Sequence, residues 1–194
     1  MSAKSASPIT AKKNAAQNNR EFGPIDLERV QRGFIAKRES GLINDAEGRF
    51  VFDSDAFEFL RDGRDCPDTV NPHLWRHATL NAHHGLFMVT EGVWQVRGYD
   101  ISNITFIKGA QGWIVIDPLS AQDTARASYE LITQHLGHRP ITAVIYTHSH
   151  VDHFGGVLGI TSKEEVDAGK CRIIAPVHFL RETVGENIIA GPAM

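Results

Sequence analysis

The residues with the clearest capacity for chemistry lie in one short segment of the second half of the chain. Three histidines and one aspartate, His148, His150, Asp152 and His153, fall within six consecutive positions. They follow residues 141–146, an apolar run with the length of a buried strand. In extended backbone, side chains two positions apart point the same way, so the first two histidines can share one metal ion. Asp152 and His153 follow a bend and can reach a second ion beside the first.

Imidazole and carboxylate side chains together are typical ligands of zinc, although manganese, iron and cobalt accept the same ligand types. Gly155 and Gly156 follow directly and allow the backbone to turn closely around such a site. The competing interpretation is a group of surface histidines in a polar loop. Composition alone would produce this arrangement with a probability of roughly 10⁻³, so we predict a metal site at the end of the strand.

Asp117 ends another apolar run, residues 113–116. It could orient a ligating histidine by accepting a hydrogen bond from the second ring nitrogen. Asp followed by Pro is equally typical of a turn, and both interpretations stay open. His73 and His77 could share one face of a helix, but no carboxylate motif accompanies them. We expect His83, His84, His135 and His138 to be surface or cap residues. His178 follows the last predicted strand, and we expect it to pack rather than to line the site.

The pattern of apolar residues changes near Gly85. Before it, helices are predicted from Asp26 through Ile35 and after Asn71. After it, short strands predict an antiparallel meander, followed by helices that alternate with strands. This order predicts an α+β, αβ-layered fold. The predicted strands are 86–90, 93–96, 103–107, 113–116, 141–146 and 173–175, and the predicted helices are 120–136 with a Ser120/Asp123 capping box, 157–168 and 177–187.

Composition excludes several classes of protein. The 194 residues are 42% hydrophobic and carry a formal net charge of −3, without a basic stripe for nucleic acid. Cys66 and Cys171 form no disulfide framework, and no apolar run approaches the ~20 residues of a membrane span. Residues 1–20 lack the apolar core of a secretory signal, so we expect a disordered leader and a cytoplasmic protein, with a periplasmic or secreted one as the alternative.

The segment His148-Ser149-His150-Val151-Asp152-His153 is the HxHxDH signature of the metallo-β-lactamase superfamily, in which an aspartate such as Asp117 also ends a preceding strand. Within that superfamily the chain resembles the alkyl sulfatases that hydrolyse dodecyl sulfate, also called class III sulfatases. The resemblance extends from about Phe22 to the last residue. The matching strings are residues 67–72, 92–98, 102–105, 146–156 and 186–191.

The resemblance implies an αββα sandwich with two zinc ions at the edges of its sheets. His148 and His150 would hold one zinc ion, and Asp152 and His153 the other, with Asp152 also counted as catalytic. A bridging water would be the nucleophile, attacking carbon while sulfate leaves. The substrate would be a small alkyl sulfate, and the full-length protein a homodimer.

Members of this family are several times longer, and their remaining metal ligands lie downstream of residue 194. We therefore expect residues 85–194 to be the N-terminal half of the sandwich and residues 21–84 to be an extension wrapping the catalytic domain. With two ligands per ion, the chain alone should bind zinc weakly and turn over alkyl sulfates negligibly. The uncovered strands 113–116 and 141–146 should expose apolar surface. Two alternatives are another hydrolase of this fold, acting on an ester, thioester or lactam, and an inactive truncated fragment.

Overall fold

The computed structural model describes residues 4–17, 25–60, 65–189 and 191. The rest of the predicted leader, residues 1–3 and 18–20, lies outside the described residues. The helices are α1 Pro8–Ala15, α2 Ile25–Gln31, α3 Pro72–Asn81, α4 Gln122–Leu136, α5 Lys163–Asp167 and α6 Phe179–Ile189. The strands are β1 Phe34–Ala36, β2 Leu42–Asn44, β3 Phe50–Asp53, β4 Gly85–Thr90, β5 Val93–Arg97, β6 Ile104–Lys108, β7 Trp113–Ile116, β8 Ile141–Ile145 and β9 Arg172–Ile174.

The chain divides into two compact units, residues 1–32 with 55–83 and residues 33–54 with 84–194. Part of the predicted extension, residues 33–54, therefore lies in the same unit as the strands that follow Gly85. A helix, α1, occupies part of the leader that was expected to be disordered. Its first turn is stabilised by Ser7 Oγ, which accepts a hydrogen bond from the Thr10 amide at 3.2 Å.

The first unit contains helices whose ends follow ordinary capping rules. Asn71 Oδ1 accepts a hydrogen bond from the His73 amide at 2.9 Å, so α3 begins where the sequence predicts. The helix predicted from Asp26 ends earlier than expected, at Gln31. In the second unit, Gly33 has a φ of 77°, which a helix does not continue through, and Ile35 lies in β1 instead.

A seven-stranded sheet is the main element of the second unit within the described residues, in the order β1-β4-β5-β6-β7-β8-β9. The pairs from β1 to β7 are antiparallel, as the predicted meander requires. From β7 to β9 the pairs are parallel, because α4 connects β7 to β8 and returns the chain to the same edge. The carboxyl ends of β7 and β8 therefore lie side by side.

The core lies between this sheet and α4. Leu131 and Ile132 of α4 and Phe106, Val115 and Val144 of the sheet are all almost fully buried. Every residue of β7 and β8 is buried or half-buried, so neither strand exposes a large apolar side chain. The predicted location of exposed apolar surface was therefore wrong. Such side chains occur instead on β9 and α6: Ile173, Ile174, Leu180, Val184, Ile188 and Ile189.

The start of α4 corrects a second prediction. The N-cap residue is Ala121, and no cap hydrogen bond comes from its own side chain. The carboxylate of Asp100, which is buried in the loop after β5, accepts hydrogen bonds from the amide of Ser120 at 3.2 Å and from the hydroxyls of Ser120 and Thr124. The acceptor at this helix end thus comes from a distant part of the sequence.

In the part of the chain that the structure describes, no helix has the length and apolar character needed to cross a lipid bilayer.

Candidate metal site

The site lies where β7 and β8 end together. Ile116 is paired with Ile145 in parallel register, and the Asp117 amide donates to the Ile145 carbonyl oxygen at 3.0 Å. Asp117, the residue after β7, and Thr147, two residues after the end of β8, are thereby brought into contact. Parallel pairing across the α4 connection is the reason that residues 30 positions apart meet at this edge.

Asp117 is the centre of a hydrogen-bond network. Its carboxylate accepts from the Thr147 amide at 2.8 Å, from the Thr147 hydroxyl at 2.7 Å and from Nδ1 of His153 at 2.9 Å. The residue is buried and has a φ of 53°, in a region where aspartate is among the few favoured residue types. The sequence left two interpretations of Asp117 open, a turn residue and a residue that orients a histidine. Its contact with His153 matches the second.

These contacts define which nitrogens of two rings carry a proton. Because an ionised carboxylate only accepts, His153 donates its Nδ1 proton to Asp117, which leaves a lone pair on Nε2. The Thr147 hydroxyl has one proton and gives it to Asp117, so at 2.9 Å it accepts from Nδ1 of His148. Both rings consequently keep Nε2 as an acceptor, which is the form that binds a metal.

The remaining contacts bring the predicted residues together. The ring centroid of His148 lies 4.6 Å from that of His150 and 4.0 Å from that of His153. Nε2 of His153 lies 3.2 Å from Oδ2 of Asp152. Two lone pairs facing each other at this distance repel unless a cation lies between them. Donor atoms bound to one tetrahedral zinc ion are about 3.3 Å apart, given bonds of ~2.0–2.1 Å, so this pair fits an ion.

The four predicted ligands do not form a complete metal site by themselves. Among the described residues, no three His, Cys, Asp or Glu side chains converge on one point as a self-sufficient metal site. The donor types fit zinc, and the spacing of Asp152 and His153 fits two ligands of one ion.

Three glycines allow residues 147–159, the histidine loop, to pack against the start of α4. A Cβ on Gly155 would lie 2.4 Å from the Ser120 carbonyl oxygen, and one on Gly156 would lie 2.1 Å from that of Pro118. A Cβ on Gly159 would lie 1.9 Å from the Gln122 carbonyl oxygen. These neighbours are backbone atoms, which cannot move aside. Close approach, which the sequence suggested for Gly155 and Gly156, is the reason that glycine is needed here.

An aromatic cluster lies beneath the loop. The Tyr146 ring centroid is 5.8 Å from that of Phe154 and 5.3 Å from that of Phe179, which begins α6. Burial raises the pKa of Tyr146 to about 12, and the negative charge that Cys171 can carry adds to the effect. Tyr146 is thus a neutral packing residue at ordinary pH.

Sequence reasoning missed three residues of this site. Thr147 and Ser102 escaped because hydroxyl side chains in loops carry no pattern of their own; the Ser102 hydroxyl donates to the Asp152 carbonyl oxygen. Glu186 occurred only within a string of the resemblance, yet its Oε1 lies 3.1 Å from Nε2 of His150. The available signal was a carboxylate on α6, the second helix after the histidine cluster.

The other histidines have different surroundings. His73 and His77 lie on α3 of the first unit. His84 was expected to be a surface or cap residue, but it is buried and its ring lies 6.2 Å from that of Tyr99. His178 has a φ of 68° directly before α6.

Comparison with known proteins agrees with this geometry. The family described as the metallo-beta-lactamase superfamily matches residues 97–190, which include Asp117 and the whole histidine loop. Residues 97–190 are therefore homologous to the metallo-beta-lactamase superfamily. The mixed αβ fold predicted from the sequence is confirmed by this match and by a solved relative, the structure of a stereoselective inverting sec-alkylsulfatase from Pseudomonas sp.. That structure aligns with a TM-score of 0.91 and 47% identity over 99% of this chain and 30% of its own.

Curated relatives agree on the narrower resemblance. An (R)-specific secondary-alkylsulfatase of Pseudomonas sp. is 47% identical over 100% of this chain and 29% of its own length. An alkyl/aryl-sulfatase of Saccharomyces cerevisiae is 46% identical over 87% of this chain and 26% of its own length. The predicted homology to alkylsulfatases is therefore confirmed, and the chain spans less than a third of these relatives.

Proposed function

We propose that this chain forms the metal-binding part of an alkylsulfatase, a hydrolase that converts alkyl sulfate esters such as dodecyl sulfate into alcohol and sulfate. The observation that carries the proposal is that His148, His150, Asp152 and His153 lie next to one another where β7 and β8 end. Relatives named as alkylsulfatases, 46–47% identical to the chain, supply the substrate class.

We assign two zinc ions to the site, one to His148 and His150 and the other to Asp152 and His153. Zinc acts as a Lewis acid toward sulfate oxygens and lowers the pKa of water. The chain's own residues provide orientation. Asp117 holds the His153 ring, Thr147 holds the His148 ring, and Ser102 holds the backbone of Asp152.

Asp152 has a second proposed role beyond binding the metal. It is the carboxylate of the four-residue set, and one of its oxygens lies beside Nε2 of His153. A carboxylate in this position can accept a hydrogen bond from the attacking water and hold that water toward the ester. More than half of the His150 side chain is exposed, so a small sulfate ester can reach this edge of the site.

The decisive experiment measures sulfate release from dodecyl sulfate by the protein expressed from its complete reading frame. Hydrolysis of nitrocefin and of an acyl-glutathione is measured in parallel. A preference for dodecyl sulfate, lost in His153→Ala and retained in the helix variant Asp167→Asn, supports the proposal. A preference for nitrocefin or the thioester replaces it with another hydrolase of the same fold.

Metal analysis separates an enzyme from an inactive fragment. Close to two zinc ions per chain in the full-length protein supports the enzyme, and none supports the fragment. For the 194-residue chain alone we expect weak zinc binding and negligible turnover, because each ion has only two ligands here. Turnover of the isolated chain at the rate of a full-length alkylsulfatase would contradict this expectation.

Assembly and location complete the proposal. We propose a homodimer for the full-length protein and a cytoplasmic location, with a periplasmic or secreted location as the alternative. Sedimentation of the full-length protein and fractionation of the cells that express it test the two statements separately.

A further inference from the structure

One side of α6 faces the histidine loop. Phe179 packs on Phe154, with ring centroids 5.2 Å apart, and one turn later the Thr183 hydroxyl donates to the Ser149 carbonyl oxygen at 3.4 Å. Glu186 follows after another turn, and positions at this spacing share one helix face. The helix therefore contacts the loop at three successive turns, and the last of these contacts is made by a carboxylate.

The Glu186 carboxylate lies beside the ring of His150, which the proposed function assigns to a metal ion. Oε1 of Glu186 lies 3.1 Å from Nε2 of His150, and the glutamate side chain is less than one-third exposed. An ionised carboxylate can only accept a hydrogen bond, so the contact is favourable when Nε2 of His150 carries the proton. In that form the lone pair of the ring is on Nδ1.

The arrangement completes a pattern in the other two rings. His148 donates Nδ1–H to Thr147 and His153 donates Nδ1–H to Asp117, which leaves a lone pair on Nε2 of each neutral ring. Histidines that bind metals almost always donate their other N–H to an oxygen acceptor, which fixes the tautomer and the orientation of the ring. His150 would lack such an acceptor without Glu186, among the contacts the structure describes.

We propose that Glu186 is the positioning residue of His150: it holds the Nε2–H tautomer and directs Nδ1 toward the metal, whereas His148 and His153 bind through Nε2. The inference rests on the metal site of the proposed function and adds to it a residue from α6. Glu186 acts through His150 and does not bind the ion itself.

The first measurement is the position of the ring protons. Long-range ¹H–¹⁵N spectra of the ¹⁵N-labelled 194-residue chain, recorded without metal at an alkaline pH where imidazole is neutral, distinguish Nδ1–H from Nε2–H. We expect a single Nε2–H tautomer for His150 and Nδ1–H for His153. An Nδ1–H tautomer at His150 would overturn the proposal, because Nε2 would then be the coordinating atom and Glu186 a competing or direct ligand.

The second measurement is zinc affinity, by competition with a chromophoric chelator. Glu186→Leu should weaken zinc binding about 10–100-fold and release His150 into a mixture of tautomers, while His153 stays unchanged and reports intact folding. Glu186→Gln retains an oxygen acceptor and should keep the tautomer with a smaller loss. The control is Glu182→Leu, one turn earlier on α6, where the carboxylate is exposed and lies 3.9 Å from Arg181.

Zinc affinity of Glu186→Leu within twofold of the wild type, or an equal loss in Glu182→Leu, would refute the positioning role. These results are separate from the proposed function, because neither measurement involves turnover. If the wild-type chain binds zinc too weakly for the competition assay, as two ligands per ion allow, the tautomer of His150 decides the role of Glu186.

Discussion

Nδ1 of His153 lies 2.9 Å from Oδ2 of Asp117, a residue 36 positions earlier in the chain. The contact exists because β7 and β8 run parallel and end at the same edge of the sheet. An aspartate that ends one strand can therefore orient a histidine that follows the next strand. The same carboxylate also holds Thr147, so one side chain organises both the backbone and a ring of the site.

Asp117→Asn tests this contact with little change in shape. Asparagine tolerates the positive φ of this position, so the loss is that of the charge and of one acceptor. Zinc affinity of the 194-residue chain should fall about 10–100-fold, measured by chelator competition. The control is Asp167→Asn on α5, where the carboxylate pairs with exposed Lys163. Equal affinities of wild type and Asp117→Asn would show that the carboxylate does not support the site.

Gly156→Ala should destabilise the fold. Its Cβ would lie 2.1 Å from the Pro118 carbonyl oxygen and 2.6 Å from that of Ala121, and a shift of this backbone disturbs the start of α4. The expected loss in the free energy of unfolding is about 3 kcal/mol, measured by urea denaturation.

Gly185→Ala in α6 is the matched variant, because no atom lies within 4 Å of its Cβ position. It should stabilise the protein by about 0.5–1 kcal/mol through helix propensity. Equal effects of the two substitutions would contradict the close packing of the loop.

Asp100→Ala tests the cap that α4 receives from the loop after β5. The change removes the acceptor of the Ser120 hydroxyl and amide at a half-buried place, and it leaves the buried Thr124 hydroxyl with the Ala121 carbonyl oxygen alone. We expect a loss of about 3 kcal/mol in the free energy of unfolding. Ser162→Ala, which removes the exposed cap of α5, should cost about 1 kcal/mol. If the Asp100 variant lost no more than the Ser162 variant, the distant cap would be of minor importance.

The raised pKa of Tyr146 predicts how the free energy of unfolding changes at alkaline pH. Its pKa is raised from 10.0 to about 12 by burial, so between these values the unfolded chain loses the phenol proton and the folded chain keeps it. The contribution of Tyr146 to the free energy of unfolding is complete below pH 10. It decreases as the pH rises toward 12, because the unfolded state then binds fewer protons than the folded state. Urea midpoints measured across this range should fall less in Tyr146→Phe than in the wild type. Parallel curves for the two proteins would be evidence against the shift.

The sequence determined the local features of this protein. A strand followed by His148, His150, Asp152 and His153 is a pattern within a few residues. Strand periodicity gave the observed bounds of β7, and Asn71 marked the start of α3. Such features depend on side-chain spacing along one segment. The fold class and the homology to alkylsulfatases followed from the same segments, because their motifs are continuous in the chain.

Only the tertiary structure decided which distant residues join them. Asp117 reaches His153 through parallel pairing, Asp100 caps α4 in place of the expected Ser120 and Asp123, and Glu186 meets His150 because α6 packs on the loop. None of these contacts has a fixed spacing in sequence. Each depends on how two elements are placed in space, and burial against the whole sheet sets that placement, so no local pattern could specify it.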